Sequence, residues 1–186
     1  MKKNVIGLFI LSVIAITFAS AQERQKPQTK LEEIFLSKGD LLIREFYPLQ
    51  KKGVTGDTSF DWIIVKKAGQ ERNAVSGLKV EISDYSRTIS NKQSAFLDSE
   101  EVKELISSID YFMNLSDQYR VQPPATYTEA YFSTKGDFKI GFYCDGKDMK
   151  GFMSAGSIGS VSTFFDIKKF PDIKSILEDA IAKYSK

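Results

Sequence analysis

The stretch "FLDSEEVKELISSIDYF", residues 96–112, decides how this chain is built, because the period of its hydrophobic pattern changes there. Val102, Leu105, Ile106, Ile109, Phe112 and Met113 follow the i, i+3, i+4, i+7 spacing that gathers side chains on one side of an α-helix for about four turns. Asp98 stands in the N-cap position. Glu101 follows three residues later, where each side chain can satisfy the other's backbone N–H. Glu100 sets a negative charge beside the positive end of the helix dipole, a favourable contribution of roughly 0.3–1 kcal/mol. Helix initiation therefore accounts for all three acids, and neither acid–base chemistry nor metal binding is needed to explain them.

Upstream of this helix the period is two. In "GLKVEISDYS", residues 77–86, Leu78, Val80 and Ile82 alternate with Lys79, Glu81 and Ser83, as in a strand with one buried and one wet face. "DLLIREFYPL" (40–49) and "FDWIIVKKA" (60–68) are rich in aromatic and β-branched residues and predict strands centred near residues 44 and 63. Gly53, Gly56, Gly69 and Gly77 supply the turns between them. Earlier still, Thr29 and Glu32 repeat the capping-box spacing, Leu31, Ile34 and Phe35 share a face, and Gly39 can close a short helix from about residue 30 to 38.

Downstream, Pro123 and Pro124 end the long helix. Period-two segments then resume in "TYTEAYFST", "DFKIGFYCDG", "MKGFMSAG" and "SVSTFFDI", with turns at Lys135-Gly136-Asp137 and Asp145-Gly146. In "FPDIKSILEDAIAKY" (170–184), Ile173, Ile176, Leu177, Ala180, Ile181 and Tyr184 form one face of a last helix. The order is helix, about three strands, helix, about four strands, helix. It predicts an α+β fold: an antiparallel sheet of about seven strands, two amphipathic helices packed on one face, and a short N-terminal helix. The two halves read alike as a meander followed by a helix, although no residues match between them.

The chain opens "MKKNVIGLFILSVIAITFASAQERQ": Lys2 and Lys3, an apolar run from Val5 to Phe18, then Ala19, Ser20 and Ala21. This is the layout of a secretory signal cleaved after Ala21, with an apolar run short of the roughly 20 residues a membrane span needs. The end of this leader, "FASAQ", resembles those of proteins exported by Bacteroidetes-type bacteria. Residues 1–21 are thus expected to be a cleaved signal peptide, 22–30 a flexible leader, and 31–186 a single globular domain. The expected location is periplasmic or secreted, with no integral membrane span after cleavage.

Removing Lys2 and Lys3 from the 26 basic residues leaves them equal in number to the 24 acidic ones, so nothing in the charge points to nucleic acid as a partner. The chain has no histidine and one cysteine, Cys144. Ser-His-Asp and Cys-His mechanisms, His-ligated zinc and a histidine general base are thereby unavailable, and no internal disulfide can form. Carboxylate, lysine, tyrosine or serine chemistry and oxygen-ligated metals remain. No motif calls for a cofactor or a metal. Cys144 alternates in phase with Phe138, Ile140 and Phe142, as an inert buried thiol would. "SAGSIGS" (154–160) leads into a strand rather than a helix, and "DGKD" (145–148) lacks the ligand series of a calcium loop, so both read as turns.

The candidate ligand- or partner-binding residues are Glu129, Tyr131, Tyr127, Tyr143 and Glu45. A two-residue turn at "TKGD" places Tyr127, Glu129 and Tyr131 on the core face with Ile140 and Phe142, where a carboxylate would line a cavity; a longer turn slips the register and turns Glu129 to water. Glu45 is the candidate second carboxylate of such a cavity. Tyr143, beside Lys139 and Asp145, belongs on an exposed sheet face. These readings favour a non-catalytic binding module that meets a protein or envelope ligand through an open sheet face. The alternative is a carboxylate-based hydrolase or a small-ligand carrier with a cavity near Glu129.

Overall fold

The computed structural model describes residues 29–49, 58–84 and 91–185. The expected signal peptide, most of the expected leader, and Gly53 and Gly56 lie outside the described residues.

Two antiparallel four-stranded meanders, each followed by a helix, make up the fold. After helix α1 (Lys30–Leu36) come β1 (Leu42–Pro48), β2 (Thr58–Lys67), β3 (Val75–Asp84) and β4 (Asn91–Asp98), paired in that order and followed by α2 (Ser99–Val121). The second sheet holds β5 (Thr128–Ser133), β6 (Phe138–Asp145), β7 (Asp148–Ala155) and β8 (Val161–Phe165), also paired in order; a 3-10 turn then leads into α3 (Phe170–Tyr184). The α+β class and the element order agree with the sequence reading. The strand count and the single sheet do not: the described residues form eight strands in two sheets. The strand without a sequence signal is β4. Its first half, Asn91 to Ser94, is polar, Ala95 and Leu97 alone carry the alternation, and it runs without a break into α2, so it reads as the lead-in to the helix.

Strand alternation sorts the side chains. Register places Trp62 opposite Leu78 and Leu78 opposite Leu97, while in the second sheet Phe132, Ile140 and Met153 stand in one row. Both sets join one cluster, Phe132 partly buried at its margin, with Val102, Leu105, Ile109 and Phe112 of α2 and Phe170, Ile173 and Leu177 of α3. The two long helices pack against each other, and α2 touches strands of both sheets. Each fully buried side chain of this size contributes roughly 1.5–3 kcal/mol.

Contrary to a sheet covered on one face only, the first sheet is apolar on both faces at β2, where Trp62 and Ile63 are each fully buried. The opposite face is sealed by α1, whose Leu31 and Ile34 close on Ile63 and Val65. Thr29 caps α1 as the sequence predicts: its Oγ1 accepts from the N–H of Glu32 at 3.1 Å, and Glu32 Oε2 accepts from the N–H of Thr29 at 3.0 Å.

The acids of the deciding stretch tie these parts together. Asp98 is the N-cap residue of α2, and its two oxygens accept from the backbone N–H groups of Lys30 and Leu31 at 2.9 and 3.3 Å. Glu100 pairs with Lys30 Nζ at 2.8 Å. Glu101 accepts from the N–H of Asp98 at 3.1 Å with one oxygen and from the N–H of Lys135, in the β5–β6 turn, at 2.7 Å with the other. The cluster is a junction of α1, α2 and the second sheet.

Candidate functional site

The β5–β6 turn settles where the candidate residues point. Thr134 N–H donates to Phe138 O at 2.9 Å, Ser133 stands opposite Lys139, and the loop is the three residues Lys135 to Asp137. Asp137 takes the left-handed conformation, φ 58°, that three-residue hairpin loops place at their last position. Gly136 stays at the tip because a Cβ there would lie 2.0 Å from Phe96 O of β4. This turn is one residue longer than the one that would send Glu129 to the core. Glu129 stands opposite Tyr143, and Tyr127, Glu129, Tyr131, Lys139 and Tyr143 all project from the outer face of the second sheet.

That face holds five aromatic rings: Tyr127, Tyr131, Tyr143, Phe152 and Phe164. They surround a shallow depression of about 560 Å³ whose polar margin is Glu129, Lys139, Ser154 and Ser162. Tyr127 stacks on Tyr143 with centroids 5.7 Å apart, and Tyr143 meets Phe164 edge to face at 6.2 Å. Lys139 Nζ lies 5.7 Å from the centre of the Tyr131 ring. Gly141, opposite both Tyr131 and Phe152 in the register, leaves the middle of the row without a side chain. Phe164 is 60% exposed and Tyr131 53%, so this is wet surface and not a second core.

Tyr127 donates its hydroxyl to Glu129 Oε1. Losing the phenolic proton would place a second negative charge against the carboxylate, and Tyr127 is accordingly pushed up to about 12, first by that hydrogen bond and then by its limited hydration. Glu45, in contrast, lies on β1 at the edge of the first sheet, bound to Lys66 Nζ at 2.6 Å and to the Tyr47 hydroxyl at 2.7 Å. Those two hydrogen bonds, Lys66 first, hold its carboxyl below the usual range. Glu45 lines neither of the depressions that Glu129 lines, so the carboxylate pair required for glycoside hydrolysis is not assembled.

Of the five residues picked from the sequence, four thus share one uncovered face and Glu45 stands apart. Sequence reasoning missed Phe152 and Phe164. Both carried a signal: each is the odd member of a row whose neighbours, Met153 and Ala155 or Thr163 and Phe165, are buried. Cys144 is buried on the inner face, its Sγ donating to Gly146 O at 3.4 Å, and burial pushes the thiol up. Among the described residues no group of three or more Cys, Asp or Glu side chains is placed to hold a metal ion, and no helix is long and apolar enough to cross a membrane. Compared with the models of known protein families and with curated proteins, the chain matches none.

Proposed function

We propose that the protein is an exported bacterial binding module, not an enzyme, that engages another protein or an envelope ligand through the aromatic outer face of its second sheet. The observation that supports this is the aromatic row on a sheet whose other face already packs the core, with Tyr127, Tyr131 and Phe164 exposed and Tyr143 and Phe152 half-buried among them. An exposed apolar patch costs solubility, and tyrosine and phenylalanine are enriched where surfaces meet partners. Rings flanked by a carboxylate, an ammonium and two serine hydroxyls offer both stacking area and polar anchors. Export, to the periplasm or beyond, rests on the basic start, the apolar run and the small residues that end at Ala21.

The test is a thermal-shift screen of the purified protein against glycans, lipids, nucleotides, divalent metals and peptides. A ligand held at one hundred times its Kd stabilises the folded state by about 2.7 kcal/mol. The shift should vanish in Phe164→Ser and Tyr143→Ser, both of which change only the outer face. A shift that survives both substitutions would move the site elsewhere and end this reading.

A further inference from the structure

We propose that β5 is a docking edge for an extended peptide, which adds to the second sheet as a fifth strand in the groove between β5 and α2. This rests on the reading of the second sheet as the binding surface and names the class of partner.

Sheet order makes β5 an outer strand. Because Thr134 and Phe138 are a hydrogen-bonded pair, the alternation of an antiparallel ladder points the N–H and C=O groups of Phe132 and Ala130 toward β6 and those of Glu129, Tyr131 and Ser133 away from it. Among the described residues, those outward groups meet no protein partner. Those of Glu129 and Tyr131 face a groove of about 520 Å³ whose other wall is Ser107, Ser108 and Tyr111 of α2, and Ser133 follows along the same strand edge. Four successive residues of β5, Glu129 to Phe132, line it, so the groove runs along the edge of the strand and not along one face. The two serine hydroxyls are turned back onto their own helix, at Lys103 O and Glu104 O, leaving a wall of little polarity.

Other edges of the fold carry the devices that stop strand addition, whereas β5 carries a single charge, Glu129. β1 carries Arg44 and Pro48, β8 is five residues long and lies against β3, and β4 carries Lys92 and meets the second sheet. β5, "TEAYFS", has no lysine, arginine or proline, and its register with β6 is unbroken.

Charge selects the occupant. Glu129 is the one charged residue of β5, it reaches both the groove and the aromatic depression, and among the described residues it forms no ion pair. An incoming strand with a lysine or arginine opposite Glu129 completes that pair. A second copy of β5 would bring another carboxylate and no cation.

Probing an array of immobilised random decapeptides with the purified protein tests this. Bound sequences should be enriched in a lysine or arginine flanked by apolar residues at alternate positions, and N-methylation of alternate peptide amides should abolish binding. Ser133→Pro, which removes an outward N–H and spares the β6 ladder, should weaken binding roughly ten-fold or more. Glu129→Lys should move the preference from basic to acidic peptides. Binding indifferent to N-methylation and to Ser133→Pro, or no binding by any peptide, would overturn strand addition. So would a dimer in sedimentation that Ser133→Pro dissociates. If peptides fail while another ligand's thermal shift depends on Phe164, the aromatic-face reading stands without this one; if peptides bind and Phe164→Ser changes nothing, strand addition stands and the aromatic-face reading falls.

Discussion

Lys30 and Asp98, separated by 68 positions in the chain, are joined by a hydrogen bond of 2.9 Å from the backbone N–H of one to the carboxylate of the other. The second oxygen of Asp98 takes the N–H of Leu31, so one side chain stands at the start of two helices. Asp98→Ala should therefore cost about 2–3 kcal/mol, since it removes an N-cap and strips the acceptor from two backbone donors. Urea midpoints will measure this, and hydrogen exchange should show α1 losing protection first. Glu100→Gln, which breaks the exposed pair with Lys30 and removes a charge beside the helix dipole, should cost no more than about 1 kcal/mol.

The tip of the β5–β6 hairpin offers a sharper contrast. Gly136→Ala drives a methyl group into Phe96 O and should destabilise by roughly 2 kcal/mol or more, as expected of a backbone clash in a packed turn. Asp137→Gly, one residue on, relaxes a left-handed conformation and should be within about 1 kcal/mol of the parent. Equal losses in the two variants would mean that the tip is not docked on β4.

Ultraviolet titration of the tyrosines should resolve a late step. Tyr127, pushed up to about 12 by its bond to Glu129, should ionise after an ordinary tyrosine at 10, and Tyr127→Phe should remove that step. Because its folded value is raised, the stabilisation that it provides is complete below the unfolded value and lost as pH rises through the folded one. Glu129→Gln should bring the step down. A titration unchanged by that substitution would show that the two side chains do not touch in solution.

On the outer face of the first sheet, burial pushes the Glu81 carboxyl up, while hydrogen bonds from Lys92 and Lys79 outweigh it and leave the group below its usual range. Lys92 and Lys79 stand 2.7 and 2.9 Å from it. A depressed carboxylate stabilises above its unfolded value and ceases to do so as pH falls through the folded value. The Glu81 contribution should accordingly be present at neutral pH and disappear in acid below the ordinary glutamate range. Glu81→Gln should cost about 1 kcal/mol at neutral pH and close to nothing once both proteins are acidified, as measured by melting at both pH values.

How much of this was legible in the sequence varies with the kind of interaction involved. Helices α2 and α3 and the alternation of β3 were plain, because local periodicity alone specifies them. β4 was not, since its polar half is paired through the backbone to β3 and gives no hydrophobic signal. The split into two sheets depends on β4 and β5 failing to pair, a long-range matter that no local window records. The face of Glu129 turned on a single residue in one loop, and what fixed that loop was Phe96, some forty positions earlier, against which Gly136 fits. Phe164 was readable from parity, but only once the inner face of β8 was known.

The connection from α2 to β5 runs through Pro123 and Pro124 at the surface and divides the chain into two segments of matching architecture. Neither owns a complete interior, for the large cluster draws on both sheets and both long helices. A chain severed at that connection would yield two complementary fragments, each insoluble or unfolded by itself and each the other's template. Produced together, they should reassemble, which makes this fold a natural candidate for a split reporter whose halves find one another through their shared interior.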